Sequence, residues 1–401
     1  MNELLKKYGL TDDEISSILN HYALSKLKED TLLQDIKETI NYFHTLDNSL
    51  TKNDIKRIIV SSPSILSMKP DTLNGKIDFF LSLGLTKKDI LYMIKANSRI
   101  LTYAQDKMME IIQFFLSFGY NDTQILDMIK ESPSLLGNST DRINNHFYLL
   151  AIMGYDIPSI IKITSKESSI LRYNEDTLKE KFMLFLNLGY STLDVQKITK
   201  NSPMLFGYSK EKIESKIQEF LRIGYTLEQF RKMTLILPSI FAISVENLKN
   251  KVAFYQSLGF SIPEIIKMSL TQPQIYSYKE DKIKGKISDL MSLGYSRDEV
   301  LNMLKTLPSL FGFTFDNIKK KIEFYRRIGL EECLLEKPMR LMQSKDLSYA
   351  RYEFLRQEKN TIVGKDDFFK LFLSNKNFFE CYKVYNEDLL MKYKEEKERE
   401  Y

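Results

Sequence analysis

The stretch LGYSTLDVQKITKNSPMLFGYSKEKIESKIQEFLRIGY, residues 188–225, begins on Leu-Gly-Tyr and closes on Ile-Gly-Tyr 35 residues later. Gly189 suits the position after a last helical turn, because glycine tolerates the left-handed conformation there. Ser191 and Asp194 follow as a capping box, in which the cap and the residue three positions on satisfy each other's free amides. Pro203 ends the helix so begun, since proline disfavours helical geometry in the residue before it. The apolar doublet Leu205-Phe206 comes next, and Glu211 opens a second, longer helix at the positive end of its dipole, where a carboxylate accepts free amides.

Outward from this stretch the same phase holds without an insertion. Gly84, Gly119, Gly154, Gly189, Gly224, Gly259, Gly294 and Gly329 stand at steps of 35, with Ser49 one step earlier. Pro63, Pro133, Pro203, Pro238, Pro273 and Pro308 share a second column, completed by Ser98 and Ser168. An apolar doublet follows each of them, and an acid column runs Asp71, Asp106, Asp141, Asp176, Glu211, Glu246, Asp281, Asp316. Within the first helix the apolar residues fall three and four apart, as in Ile90, Met93 and Ile94. In the second, a helical wheel puts Ile283, Ile287, Leu290, Met291 and Leu293 inside one arc. One such unit cannot bury that arc; stacked units can, which predicts an all-α, curved superhelical solenoid. Its parts are an N-terminal helical cap (1–48), eight repeats of 35 residues (49–330) and a degenerate C-terminal helical cap with a charged tail (331–401).

Composition agrees. Apolar residues make up 43% and charged residues 28% of 401, a profile that folds. Cys333 and Cys381 have no neighbour at metal or redox spacing, so neither a disulfide framework nor a zinc site is expected. No signal peptide, apolar run of membrane-crossing length or acid-poor transit segment is visible. The expected compartment is the cytoplasm, or an organelle if a transit segment has been removed. The formal charge is only +5, but it is unevenly placed: residues 205–330 carry 20 Lys/Arg against 13 Asp/Glu, and the remainder is balanced.

The internal pattern Leu-Gly-Tyr/Leu, Ser/Thr-x-x-Asp/Glu-Ile/Val and Pro-x-Ile/Leu-Leu/Phe resembles the mitochondrial transcription termination factor (mTERF) family. Residues 188–225 and LGYSRDEVLNMLKTLPSLFGFTFDNIKKKIEFYRRIGL (293–330) carry the likeness best, and it covers about 49–330. It implies a left-handed superhelix of triplets, two α-helices and a short 3₁₀ turn per repeat, whose basic groove holds double-stranded DNA or, in some members, RNA.

Catalysis has no support. His21, His44 and His146 lack ligand or nucleophile–base spacing, there is no glycine-rich phosphate loop, and no cofactor is expected. Two lysine columns are the candidates for binding. Lys76, Lys181, Lys216, Lys251, Lys286 and Lys321 recur five residues after the acid column, with Ile111 and His146 in the other slots. Lys286 falls inside the apolar arc, so this column reads either as a structural ladder reaching acids or carbonyls of the next unit, or as cations facing successive phosphates. Lys179, Lys249, Lys284 and Lys319 lie two residues earlier on a more exposed turn, thickened by Lys282, Lys320, Arg326 and Arg327. The nucleic-acid contacts are therefore expected among Lys216, Lys249, Lys251, Lys284, Lys286, Lys319, Lys321 and Arg326. The tyrosines beside the glycines, Tyr155, Tyr190, Tyr225 and Tyr295, read as core, with base stacking as the other use. The expected partner is double-stranded DNA or RNA, bound by a monomer in transcription or another step of gene expression; a protein-binding scaffold is the alternative.

Overall fold

The structure, a computed structural model, describes residues 1–21 and 28–393. Among these, 23 α-helices and ten 3₁₀ segments occur and no strand. The predicted charged tail, 394–401, lies outside the described residues. Two compact units divide the chain, Met1–Lys210 and Glu211–Tyr401, the boundary falling inside the fifth repeat.

Every repeat is a triplet. In the first, helix Lys52–Ser61 leads to the 3₁₀ turn Pro63–Ser67 and to helix Pro70–Ser82. Capping boxes start the first helices at Thr51/Asp54, Thr86/Asp89, Asn121/Gln124, Ser191/Asp194, Thr226/Gln229, Ser261/Glu264 and Ser296/Glu299. The glycine column is left-handed throughout, from φ +74° at Gly329 to +114° at Gly224. The residue before proline leaves the helix, as Ser62 does at φ −147°, ψ 73°.

One sequence reading is corrected here. The acid column does not cap the second helix but lies inside its first turn, exposed. Caps come two residues earlier, from Ser139, Asn174, Ser244 and Thr314, whose side chains accept amide hydrogens. The acids favour the positive end of the dipole without capping it, and Asp176 and Asp316 also pair with Lys179 and Lys320 one turn on. A second correction concerns the apolar arc: Ile283, Ile287 and Leu290 are buried, but Met291 is exposed and Leu293 half-exposed. The buried stripe of the second helix is narrower than the wheel suggested, at i, i+4 and i+7.

Ser98 and Ser168 nucleate the 3₁₀ turn as well as proline does. Each hydroxyl reaches back to the preceding repeat, Ser98 donating to the Ile58 carbonyl at 3.0 Å and Ser168 to the Glu131 carboxylate at 2.7 Å. Successive first helices pack on one another within each unit. The doublets, from Ile65-Leu66 to Leu310-Phe311, are buried between layers, each such side chain being worth ~1.5–3 kcal/mol.

The tyrosine column belongs to this core. Tyr120 bonds Thr164 at 2.5 Å, Tyr155 bonds Thr199 at 2.6 Å and Tyr225 bonds Ser269 at 2.6 Å, always 44 residues on. Where the column is apolar its partner is too: Leu85 stands with Ile129 in that register and Phe260 with Leu304, all buried. In these pairs polarity is matched, as a buried hydroxyl requires; Tyr295, with Met339 44 residues on, is the exception.

Both ends repeat the plan out of phase. Gly9, left-handed at φ +79°, precedes a Thr11/Glu14 capping box. After Gly329 a first helix of only five residues, Glu332–Glu336, leads to the 3₁₀ turn Pro338–Met342 and helix Lys345–Gln357. Five residues are missing from that first helix, so Pro338, Asp346 and Arg351 stand in the proline, acid and lysine columns although the count of 35 is broken.

Candidate nucleic-acid interface

The two lysine columns have different surroundings. Lys216, Lys286 and Lys321 are only 3–6% exposed, and Lys76, Lys181 and Lys251 are half-buried. Each of these side chains rises from the second helix between two core residues, as Lys251 does between Leu248 and Val252. The ammonium of Lys251 donates to the Tyr278 carbonyl at 2.7 Å, and Lys76 and Lys216 donate to the carbonyls of Tyr103 and Ile243. These acceptors are 27 residues ahead, just past the next repeat's 3₁₀ turn, in a backbone stretch that no helix satisfies. Lys321 donates to the Leu341 carbonyl at 2.7 Å, inside the 3₁₀ turn of the next, shorter repeat and not beyond it. Lys286 meets Asp289 at 3.4 Å instead. Burial pushes Lys76, Lys216, Lys251 and Lys321 below the usual lysine range.

His146 fills the same column and behaves as the lysines do. Its Nε2 lies 2.9 Å from the Tyr173 carbonyl, again 27 residues on, and its Nδ1 lies 2.8 Å from the Arg142 carbonyl. Arg351, wholly buried, ends the series and donates to the carbonyls of Leu371 at 2.9 Å and Leu373 at 2.7 Å and to Asn386 at 3.0 Å. Lys76, His146, Lys216, Lys251, Lys321 and Arg351 thus have the geometry of a ladder tying one repeat to the next, while Lys286 pairs within its own helix.

Lys249, Lys284 and Lys319 are exposed on successive second helices, Val245–Ser257, Glu280–Ser292 and Phe315–Arg327. Their contacts are loose: Lys249 is 3.6 Å from Glu219, Lys319 is 3.7 Å from Glu323, and Lys284 stands 5.5 Å from the Phe254 ring centre. Lys282 lies 4.5 Å over the Tyr278 ring. Arg326 is held more firmly, bonding Glu331 twice at 2.7 Å and the Leu293 carbonyl at 2.7 Å, and Lys320 pairs with Asp316 at 2.8 Å. A groove of about 700 Å³ lies between the starts of helices Phe315–Arg327 and Lys345–Gln357, lined by Lys320, Lys321 and Lys345 with Asp316 and Asp346. Residues 211–401 carry 33 Lys/Arg against 28 Asp/Glu, and residues 1–210 carry 25 of each, so the whole +5 belongs to the second unit.

A further column escaped the sequence reading. Lys162, Lys197, Lys232 and Lys267 are exposed at one position of four first helices. Lys232 pairs with Glu228 at 2.8 Å. The 35-residue count would have found the column, but Arg57, Tyr92, Asp127 and Asn302 in the same register obscure it. Among the described residues no group of His, Cys, Asp and Glu is placed to hold a metal ion, and both cysteines are free.

Comparison with known families now bears on this arrangement. A profile of the mTERF family matches residues 2–269 and 213–329, nearly the whole chain. The chain belongs to the mTERF family. Proteins of this family are non-enzymatic helical-repeat solenoids that generally bind nucleic acid, which agrees with the stacked triplets of both units. The match to this mTERF chain begins at residue 2, so the family pattern takes in the out-of-phase segment opened by Gly9 as well as the regular array. No curated protein matches the chain.

Proposed function

We propose that this mTERF protein binds double-stranded DNA as a monomer through phosphate contacts made by its second unit, in transcription or another step of gene expression. The observation that carries the reading is the exposure of Lys249, Lys284 and Lys319 at one position of three successive second helices, held only by loose contacts. Stacked helices lie about 8–10 Å apart, so such a column offers regularly spaced cations to a phosphate backbone. Lys282 and Lys320 flank it, and the fixed guanidinium of Arg326 adds a positioned charge. Lys216, Lys251 and Lys321 support the site from beneath by holding the repeats in register, and Lys286 is buried beside them against Asp289 of its own helix.

The test is a salt titration of binding to a labelled DNA duplex and to a labelled RNA, for the parent protein and two triple variants. Replacing Lys249, Lys284 and Lys319 by Gln should weaken binding to many sequences alike and lower the log–log salt slope by about 0.9 for each lost duplex contact. Melting should hardly change, because exposed charges contribute little. Replacing Lys251, Lys286 and Lys321 by Gln should lower the melting temperature instead. A parent protein without salt-sensitive affinity for either nucleic acid at low ionic strength refutes the proposal.

A further inference from the structure

The first unit carries an apolar surface that its own repeats show to be unnecessary for the fold. Tyr148 (68% exposed) and Ile152 lie one turn apart on helix Thr140–Ile152, and Ile157 begins the next helix. Met183 and Leu193 (74% exposed) continue the surface one repeat further, in the columns of Tyr148 and Pro158. Elsewhere the columns of Tyr148, Ile152 and Leu193 are mostly polar, Ala253 and Pro263 excepted, while that of Ile157 holds Leu227 and Ile262 beside Lys52, Lys87, Asp122, Thr192 and Arg297. That of Tyr148 holds Asp78, Gln113, Gln218 and Ser288, that of Ile152 holds Ser82, Ser117, Ser257 and Ser292, and that of Leu193 holds Asn53, Lys88, Thr123 and Glu228. Repeats of identical length therefore fold with polar residues there, and packing gives no reason for the apolar ones.

Two observations say what covers this surface. The first is shape. A cavity of about 620 Å³ opens at its centre, walled by Phe118, Phe147, Tyr148, Tyr155, Ile157 and Ile160, with the Phe118 and Phe147 rings 4.3 Å apart at its base. An aromatic-walled recess of this size admits one large inserted side chain, the usual form of a protein–protein anchor. The second is charge. Lys162 and Lys166 follow Pro158 at four-residue steps on helix Ile157–Lys166, and Lys197 follows Leu193 likewise on the helix packed against it. All three are exposed and are in no ion pair among the described residues. Asp156, which also lines the cavity, caps its own helix by accepting the Ser159 amide. The lysines thus supply the margin's unpaired charge and call for an apolar face with acidic residues beside it. Spacing selects its form, since columns on adjacent repeats lie about 8–10 Å apart and residues i and i+7 of an α-helix about 10.5 Å apart.

We propose that the surface formed by Tyr148, Ile152, Ile157, Met183 and Leu193 docks an amphipathic α-helix of a protein partner, one that inserts a large apolar side chain beside Phe147 and sets acidic residues against Lys162, Lys166 and Lys197. The chain then has two working faces, this one on residues 140–200 and the cationic one on 211–330. No single helix among the described residues is long and apolar enough to cross a membrane. The bent pair Thr140–Ile152 and Ile157–Lys166, which carries this surface, reaches that length and composition together, but its Phe147, Leu149, Leu150, Ile160 and Ile163 are buried within the unit, as those of core helices are. A recess also suits an inserted side chain better than it suits a lipid surface.

The test uses the full chain as bait for a display library of 18-residue peptides. The control bait combines Tyr148→Gln, Ile152→Ser, Ile157→Thr and Leu193→Thr, which place at each site a residue found in the same column of another repeat. Unchanged circular dichroism and melting establish that this variant is folded. Selected peptides should carry acids beside apolar residues spaced i, i+3 or i+4, and i+7. Their affinity, read by fluorescence polarisation, should fall at least tenfold in the quadruple variant, with DNA affinity unchanged there, and severalfold in Lys162→Gln/Lys197→Gln. The proposal is overturned if no peptide is selected, if those selected are basic, or if they bind the variant equally well. Binding of phosphatidylglycerol vesicles that is lost in the variant overturns it too, by making the occupant a membrane. Because DNA binding is read separately, failure here is distinct from failure of the nucleic-acid reading.

Discussion

His146 shows what the ladder column asks of a side chain. In most repeats a donor there passes between two apolar neighbours and reaches a carbonyl further along the chain, 27 residues ahead for His146 and Lys251; Ile111 fills the same slot without one, so the demand belongs to the individual carbonyl. Exchange for the commoner occupant should therefore be mild. We expect His146→Lys to leave the stability to urea close to that of the parent, whereas His146→Leu, of suitable bulk but without a donor, should cost about 1–3 kcal/mol by stranding the Tyr173 carbonyl. Equal losses in the two variants would mean that the imidazole is needed for its shape. The tyrosine pairs Tyr120–Thr164, Tyr155–Thr199 and Tyr225–Ser269 obey the same logic, a buried hydroxyl being met by a hydroxyl 44 residues on.

Helix ends decide the length of each element, and two glycines separate conformational from steric effects. Gly294 ends a second helix at φ +102° and has no atom within 4 Å of where a Cβ would stand. Gly285, inside the same helix, has equally open surroundings but no positive φ. Gly294→Val should accordingly lower stability by more than about 1 kcal/mol, because a β-branched residue is strained in the left-handed region. Gly285→Ala should raise it by about 0.5–1 kcal/mol, because the unfolded chain loses freedom at no native cost. Thermal melts of the two variants should move in opposite directions; a common direction would show that open space, not backbone conformation, governs both sites.

At the scale of the molecule, the buried tyrosines set an alkaline limit. Burial raises Tyr42 and Tyr225 from 10.0 to about 12, and Tyr120, Tyr155, Tyr255 and Tyr325 further. A group whose folded pKa is raised contributes stability that is complete below its unfolded pKa and lost as the pH climbs through the folded one. The four ladder lysines act oppositely, because a lowered lysine pKa destabilises less as the pH rises, but the tyrosines outnumber them. Melting temperature should thus vary little from pH 7 to 9 and fall steeply between pH 10 and 12, monitored by circular dichroism. A melting temperature that holds through pH 12 would contradict the burial of these hydroxyls.

The sequence alone determined the helical class, the eight-fold period and nearly every helix boundary, because glycine, proline and capping residues act through local backbone geometry that repeats each 35 residues. It also placed Lys286 inside the apolar arc and separated the two lysine columns, since helical periodicity is itself local. Tertiary structure decided what lay between repeats. Whether Lys251 reached a phosphate or the Tyr278 carbonyl depended on how one unit stacked on the next, and a wheel drawn on one helix holds no such information. The same stacking showed the acid column to be exposed first-turn residues, left Met291 outside the core, and moved Arg351 into the ladder despite the five-residue shortening that broke the count. The apolar surface at Tyr148 and Leu193 became visible only with burial, because an apolar residue at a helical position reads as core until a neighbour is found missing.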